Sequence, residues 1–130
     1  MNINKKLFEI SADHLIKQNK RSVHDESPKD LFDLDKNQCA YRGIFGRKCA
    51  VGALISDEYY YPALEGYSVE TGGEIENLIA LSHNIDPDEI STEMLLELQN
   101  IHDKKKVSAW PSQLTALANK LGIDWTPESK

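Results

Sequence analysis

The chain has 130 residues, a net charge of −6, 40% hydrophobic and 28% charged residues, which fits one globular domain spanning 1–130 and excludes a chain too polar to fold. No apolar run approaches the ~18 residues of a membrane-spanning helix. The N-terminal Met1–Lys6 stretch carries two lysines, but Glu9, Asp13 and His14 interrupt the segment behind it, so it does not read as a secretory leader, and the expected compartment is the cytoplasm.

The helical period appears first at Asn4–Asn19, where Phe8, Ala12, Leu15 and Ile16 share a face, with Leu7 and Ser11 beside them. Asn2 or Asn4 is placed to cap this helix. Residues 20–37 break the pattern and read as a polar connection, tacked down by Leu31, Phe32 and Leu34. Residues 38–49 then offer the best strand signal. Gly43 and Gly46 bracket Ile44 and Phe45, the pattern of a small β-hairpin in which Tyr41 pairs with Lys48 and brings Cys39 near Cys49. A short buried helix is expected over Cys49–Ile55, a new helix start at Ser56–Asp57, and a short strand over Tyr67–Val69.

Ile75, Leu78, Ile79 and Ser82 predict a short helix. Asp86-Pro87-Asp88-Glu89 is a helix-start signature with Asp86 as cap; the helix begins there or restarts at Thr92, with Leu95, Leu98, Ile101 and His102 inward. Lys104–Lys106 suit its C-terminal dipole. A last helix over Pro111–Leu121 carries Leu114, Leu117, Ala118 and Leu121 and stops at Gly122. Ile123 and Trp125 fold back on the body, and 126–130 form a tail. The predicted fold class is α+β: mainly helical, four to five helices, with one hairpin around 38–49.

Charge is distributed unevenly. Cys49–Asp103 holds twelve acidic residues and no Lys or Arg, whereas the other 75 residues hold 15 basic and nine acidic ones. Nucleic-acid binding through the acidic half is disfavoured, because phosphate contacts need clustered cations. A basic partner surface is favoured if the carboxylates of 57–97 share a face.

The densest chemistry lies in Cys39–Gly66. One reading makes Cys49 a nucleophile at a helix start with Arg47 and Lys48 beside it and His102 as base. A second gives Cys39 and Cys49 to a metal, with His24, His83 or His102 completing the set, although their spacing is wider than a zinc knuckle. The structural alternative, preferred here, makes both cysteines small buried hydrophobes, and His102 a hydrogen-bonded core residue. Tyr41, Arg42 and Lys48 could hold a nucleotide or other small ligand, but Arg42, Arg47 and Lys48 more simply pair with carboxylates such as Glu65. Gly43, Gly46 and Gly52 form neither G-x-G-x-x-G nor a P-loop, so no cofactor is implied. Asp86–Glu89 lacks the EF-hand series. Tyr59, Tyr60 and Tyr61 cannot all face inward, so an exposed tyrosine near Phe45 would serve a protein contact.

The run Cys39-Ala40-Tyr41-Arg42-Gly43, Gly46-Arg47-Lys48-Cys49-Ala50-Val51-Gly52, Leu54-Ile55, Asp57-Glu58, Tyr61 and Leu64-Glu65-Gly66 resembles a small protein family encoded by tailed phages and prophages. Leu95-Leu96, Leu98-Gln99, His102-Asp103 and Trp110 resemble its second half, and the similarity covers most of 7–121. Ser22–Asn37 is longer here than in the family. The family has no assigned activity, so the resemblance brings no catalytic residue; it implies a phage-type accessory protein in a bacterial cytoplasm.

The expected function is therefore non-enzymatic binding of a host or phage protein with a basic surface, in its sharpest form a DNA-mimic inhibitor of a defence or regulatory factor. The expected binding residues are Tyr41, Arg42, Phe45, Lys48, Tyr59, Tyr60 and Glu65. A homodimer is compatible with the sequence. A small hydrolase or transferase using Cys49 and His102 is the alternative, and a nucleotide or small-ligand binder the second.

Overall fold

The computed structural model describes residues 3–20, 22, 40–43, 46–67, 69–70 and 72–127. Among the described residues, four α-helices carry the frame: α1 (Ile3–Gln18), α2 (Glu74–His83), α3 (Thr92–Lys104) and α4 (Trp110–Leu121). Short 3-10 turns at Gly52–Leu54, Asp57–Tyr59, Pro62–Gly66, Pro87–Glu89 and Val107–Ala109 join and flank them.

α1, α3 and α4 pack on one another. Each presents a stripe at helical spacing: Leu7, Phe8, Ala12 and Leu15 on α1; Met94, Leu95, Leu98 and Ile101 on α3; Trp110, Leu114, Leu117 and Ala118 on α4. Ile75, Leu78 and Ile79 of α2 join the same core. Full burial of each such side chain stabilises by about 1.5–3 kcal/mol. The chain past α4 returns to this core. Trp125 meets Phe8 edge to face, with ring centroids 5.5 Å apart, and its indole N–H donates to Asp13 at 2.9 Å.

The helix ends follow local chemistry. Ser91 accepts the Met94 N–H at 3.1 Å, so α3 restarts at Thr92, and the Asp86–Glu89 signature forms only a 3-10 turn with Asp86 accepting from Asp88 N–H. α4 ends at Gly122, whose φ of 72° permits the reversal in which Ile123 N–H reaches Ala118 O. α2 ends the same way, with Asn84 in the left-handed region.

The α+β expectation is overturned. The fold is mainly helical, and the described residues contain no strand. Among the described residues of 38–49 there is one isolated antiparallel bridge, Arg42 opposite Lys48, rather than a hairpin with Tyr41 opposite Lys48. A ladder requires the two segments to trade their backbone groups with each other. Here most of those groups go elsewhere. Ala40 N–H donates to Ser22 O, Tyr41 and Arg42 N–H to the Glu65 carboxylate, and Lys48 N–H to Gln18 Oε1. Lys48 O accepts from Gln18 and lies 3.1 Å from His14 Nε2. Gly43 N–H donates to Arg47 O at 2.8 Å across the turn.

The helices expected at Cys49–Ile55 and Ser56–Asp57 shrink to the 3-10 turns Gly52–Leu54 and Asp57–Tyr59. Tyr67 and Val69 belong to no strand, and Ser68 lies outside the described residues, as do Cys39, Phe45, most of the polar connection and 128–130. Among the described residues, no helix is long and apolar enough to cross a membrane.

Candidate functional site

Segment 40–70 wraps the helical frame and is fastened to it by polar side chains. Glu65 is the central clamp. Its Oε1 accepts Tyr41 N–H at 3.0 Å; its Oε2 accepts Arg42 N–H at 3.1 Å and the Tyr60 hydroxyl at 2.7 Å. Burial, then this bond to a carboxylate, push the Tyr60 phenol up to about 12.

Glu65 thus receives two backbone amides and a phenol. The Arg42 guanidinium instead turns to Asp57 and the Ile55 carbonyl, and lies over the Tyr60 ring at 4.9 Å. Lys48 Nζ also reaches Asp57, at 3.7 Å. Asp57 is held below the usual carboxylate range, first by its Arg42 hydrogen bond and then by the Lys48 charge. Arg42 and Lys48 thus share the exposed Asp57 carboxylate as an intramolecular counter-ion.

Cys49 is fully buried, and its sulfur accepts Gly52 N–H at 3.2 Å. Burial pushes the thiol up to about 12. A nucleophilic cysteine needs the opposite, a depressed value and an open approach. His102 is also fully buried, and both ring nitrogens are engaged. Ser22 N–H points at Nε2 from 2.9 Å, so Nε2 accepts, and the proton sits on Nδ1, 2.8 Å from Asp103 Oδ1. With Nε2 committed to a backbone amide, the imidazole has no lone pair to offer as a base. The adjacent Asp103 orients the His102 ring, although neighbouring helical side chains generally point apart.

Of the metal set, Cys39 and His24 lie outside the described residues, and His83 Nε2 is 2.9 Å from Leu54 O. Among the described residues, no three His, Cys, Asp or Glu side chains cluster as metal ligands do.

Gln99, Trp110 and Gly52 also meet at this joint. Gln99 Oε1 accepts Val51 N–H at 3.1 Å while its Nε2 donates to Asp103 Oδ1 at 2.9 Å. Trp110 stacks on His102, centroids 5.5 Å apart. Gly52 sits so close to the Tyr41 carbonyl that a Cβ there would collide with it.

Beside the joint opens a cleft of about 250 Å³ lined by Tyr41, Glu65, Tyr67, Val69, Leu96, Gln99 and Asp103. Tyr67 and Leu96 are 48% and 49% exposed, two of the four large exposed hydrophobic side chains among the described residues. Among the described residues, no Lys or Arg lines the cleft. The Tyr41 hydroxyl is tied to Tyr67 O at 2.6 Å, and burial, then the charges of Cys49, Glu65 and Asp103, raise its pKa.

Tyr41 and Glu65, expected as binding residues, come together here, whereas Arg42, Lys48 and Tyr60 form the joint behind it. Tyr59 packs part-buried against the core. Tyr67, Leu96, Gln99 and Asp103 were not expected. Leu96 was findable: directly after Leu95, it falls about 100° off the inward stripe. The acidic residues divide between structural and surface roles. Glu76 is 2% exposed and bound by Thr92 and Gly72 N–H; Glu97 pairs with Lys120. Glu58, Glu70, Asp88, Glu89 and Glu93 are exposed.

Compared with family models, curated proteins and solved structures, the chain matches none.

Proposed function

We propose that the protein is a non-enzymatic, phage-type accessory protein of the bacterial cytoplasm that binds a host or phage protein through the Tyr67–Leu96 cleft. One observation carries this reading: two large side chains left half-exposed, Tyr67 and Leu96, line the same cleft with two carboxylates and, among the described residues, no cation. Apolar anchors ringed by polar groups are the anatomy of a protein contact. At about 250 Å³ the cleft lies below the ~300–1,000 Å³ of small-molecule pockets. The burial of Cys49 and the engaged ring of His102 speak against the hydrolase alternative.

The test compares the wild-type chain with a Tyr67→Ala/Leu96→Ala double variant, each immobilised and exposed to the same bacterial lysate. A protein retained by the wild type, lost by the variant and released as salt rises supports the reading. An identical set of proteins on both surfaces, with both chains folded, sinks it.

A further inference from the structure

We propose that the Tyr67–Leu96 cleft is an arginine pocket: it takes the guanidinium side chain of an extended segment of the partner protein. This deepens the protein-binding reading above and rests on it.

Asp103 is the recognising group. Its Oδ1 receives both Gln99 Nε2 at 2.9 Å and His102 Nδ1 at 2.8 Å, which fixes the carboxylate before any ligand arrives. The side chain is 30% exposed and lines the cleft. A preset, part-exposed carboxylate in a cleft wall is a receptor for a charge-assisted donor.

The charge balance selects the sign of the occupant. Glu65 and Asp103 are the charged residues among those lining the cleft, and both are acidic. Two cations adjoin the lining residues in sequence, Arg42 and Lys104; Arg42 gives its backbone N–H to Glu65 and sends its guanidinium to Asp57, and Lys104 is exposed and not among the lining residues. The walls select the shape. Tyr67, Leu96 and Val69 offer apolar and aromatic surface for a methylene stem and a flat head. A guanidinium is planar, weakly hydrated and stacks on aromatic rings, whereas an ammonium is a compact, strongly hydrated point charge.

The experiment titrates the purified full chain with a short acetylated, amidated peptide carrying one arginine between two leucines. Matched peptides carry lysine or citrulline at that position, and binding is followed by NMR. The expected result is saturable shifts at Tyr67, Leu96, Gln99 and Asp103, with affinity lower by about tenfold or more for citrulline, the neutral isostere, and a smaller but clear loss for lysine. Asp103→Asn, which can still accept from Gln99 and His102, should weaken the arginine peptide to the citrulline level.

Leu96→Lys provides a second variant that disturbs no hydrogen bond: a cation placed at the cleft mouth should abolish arginine binding without lowering thermal stability. Equal affinity for all three peptides, shifts centred elsewhere, or occupation of the cleft by a second copy of the chain in solution would each overturn the inference. So would a lysate partner that Asp103→Asn and Leu96→Lys retain but Tyr67→Ala/Leu96→Ala loses, although protein binding would then stand. A lysate set indifferent to Tyr67 and Leu96 would instead remove the parent reading.

Discussion

The helical frame and the wrap formed by 40–70 are held by different physics. In the frame, α1, α3 and α4 bury stripes of Leu, Phe, Met and Trp against one another, and stability is spread over many nondirectional contacts. In the wrap, backbone pairing is confined to short turns, such as Leu54 N–H to Val51 O and Tyr67 N–H to Leu64 O, and single side chains hold those turns in place: Glu65 to Tyr41 and Arg42, Gln18 to Lys48, Gln99 to Val51. A loss in the frame is shared by the whole molecule. A loss in the wrap leaves an identifiable amide without its partner, and the candidate site lies where the two regions meet.

The difference can be attacked from the frame first. Phe8 is fully buried and edge-on to Trp125, so Phe8→Ala should cost about 3–5 kcal/mol, with all spectroscopic probes shifting together in chemical denaturation. Separate transitions for the helices and the wrap would break the picture of one cooperative unit. Gly52→Ala comes next. Its Cβ meets the Tyr41 carbonyl, and we expect a loss of about 2–3 kcal/mol. Hydrogen exchange should then speed up at Tyr41 and Arg42 while amides of α3 keep their protection.

Glu65→Ala removes the shared acceptor of two backbone amides and a hydroxyl, at an expected cost of about 1–3 kcal/mol. Glu65→Gln, keeping one carbonyl acceptor, should recover part of this, and equal stability of the two variants would deny the clamp.

The smallest effect concerns pH. Burial holds His14 below its ordinary 6.5. The unfolded chain therefore takes up the proton first, so His14 contributes stability that is present above pH 6.5 and lost as pH falls through its folded value. His14→Gln should flatten the decline of the thermal midpoint just below pH 6.5, and an unchanged slope would remove His14 from the account.

The frame was legible in the sequence because a helical period repeats itself: Leu95, Leu98, Ile101 and His102 announce one face several times over. Gly122 as a stop and Asp86 as a cap were legible from local chemistry alone. The wrap was not. Gly43 and Gly46 correctly signal a reversal, since Gly46 sits at a φ of 73°. They do not say which groups receive the flanking amides, and those receivers, Ser22, Gln18 and Glu65, come from distant sequence. The polar stretch at 20–37 gave no hint that Ser22 would be buried against His102. Glu65 looked like a partner for arginine because opposite charges are the obvious pairing, and a carboxylate's preference for two backbone N–H groups leaves no pattern in a linear sequence. At the site, Leu96 was readable from its helical angle, and Tyr67 was not.

The stacking of Trp110 on His102 has an optical consequence. Indole emission responds to the ring stacked on it, and the His102 ring is held in place by Ser22 N–H at Nε2 and by Asp103 at Nδ1. With Trp125 replaced by phenylalanine, Trp110 emission becomes a single-residue gauge of that contact. A change of that band in rising denaturant, before the helical circular dichroism changes, would mark the moment the chain at Ser22 lets go of the helical frame.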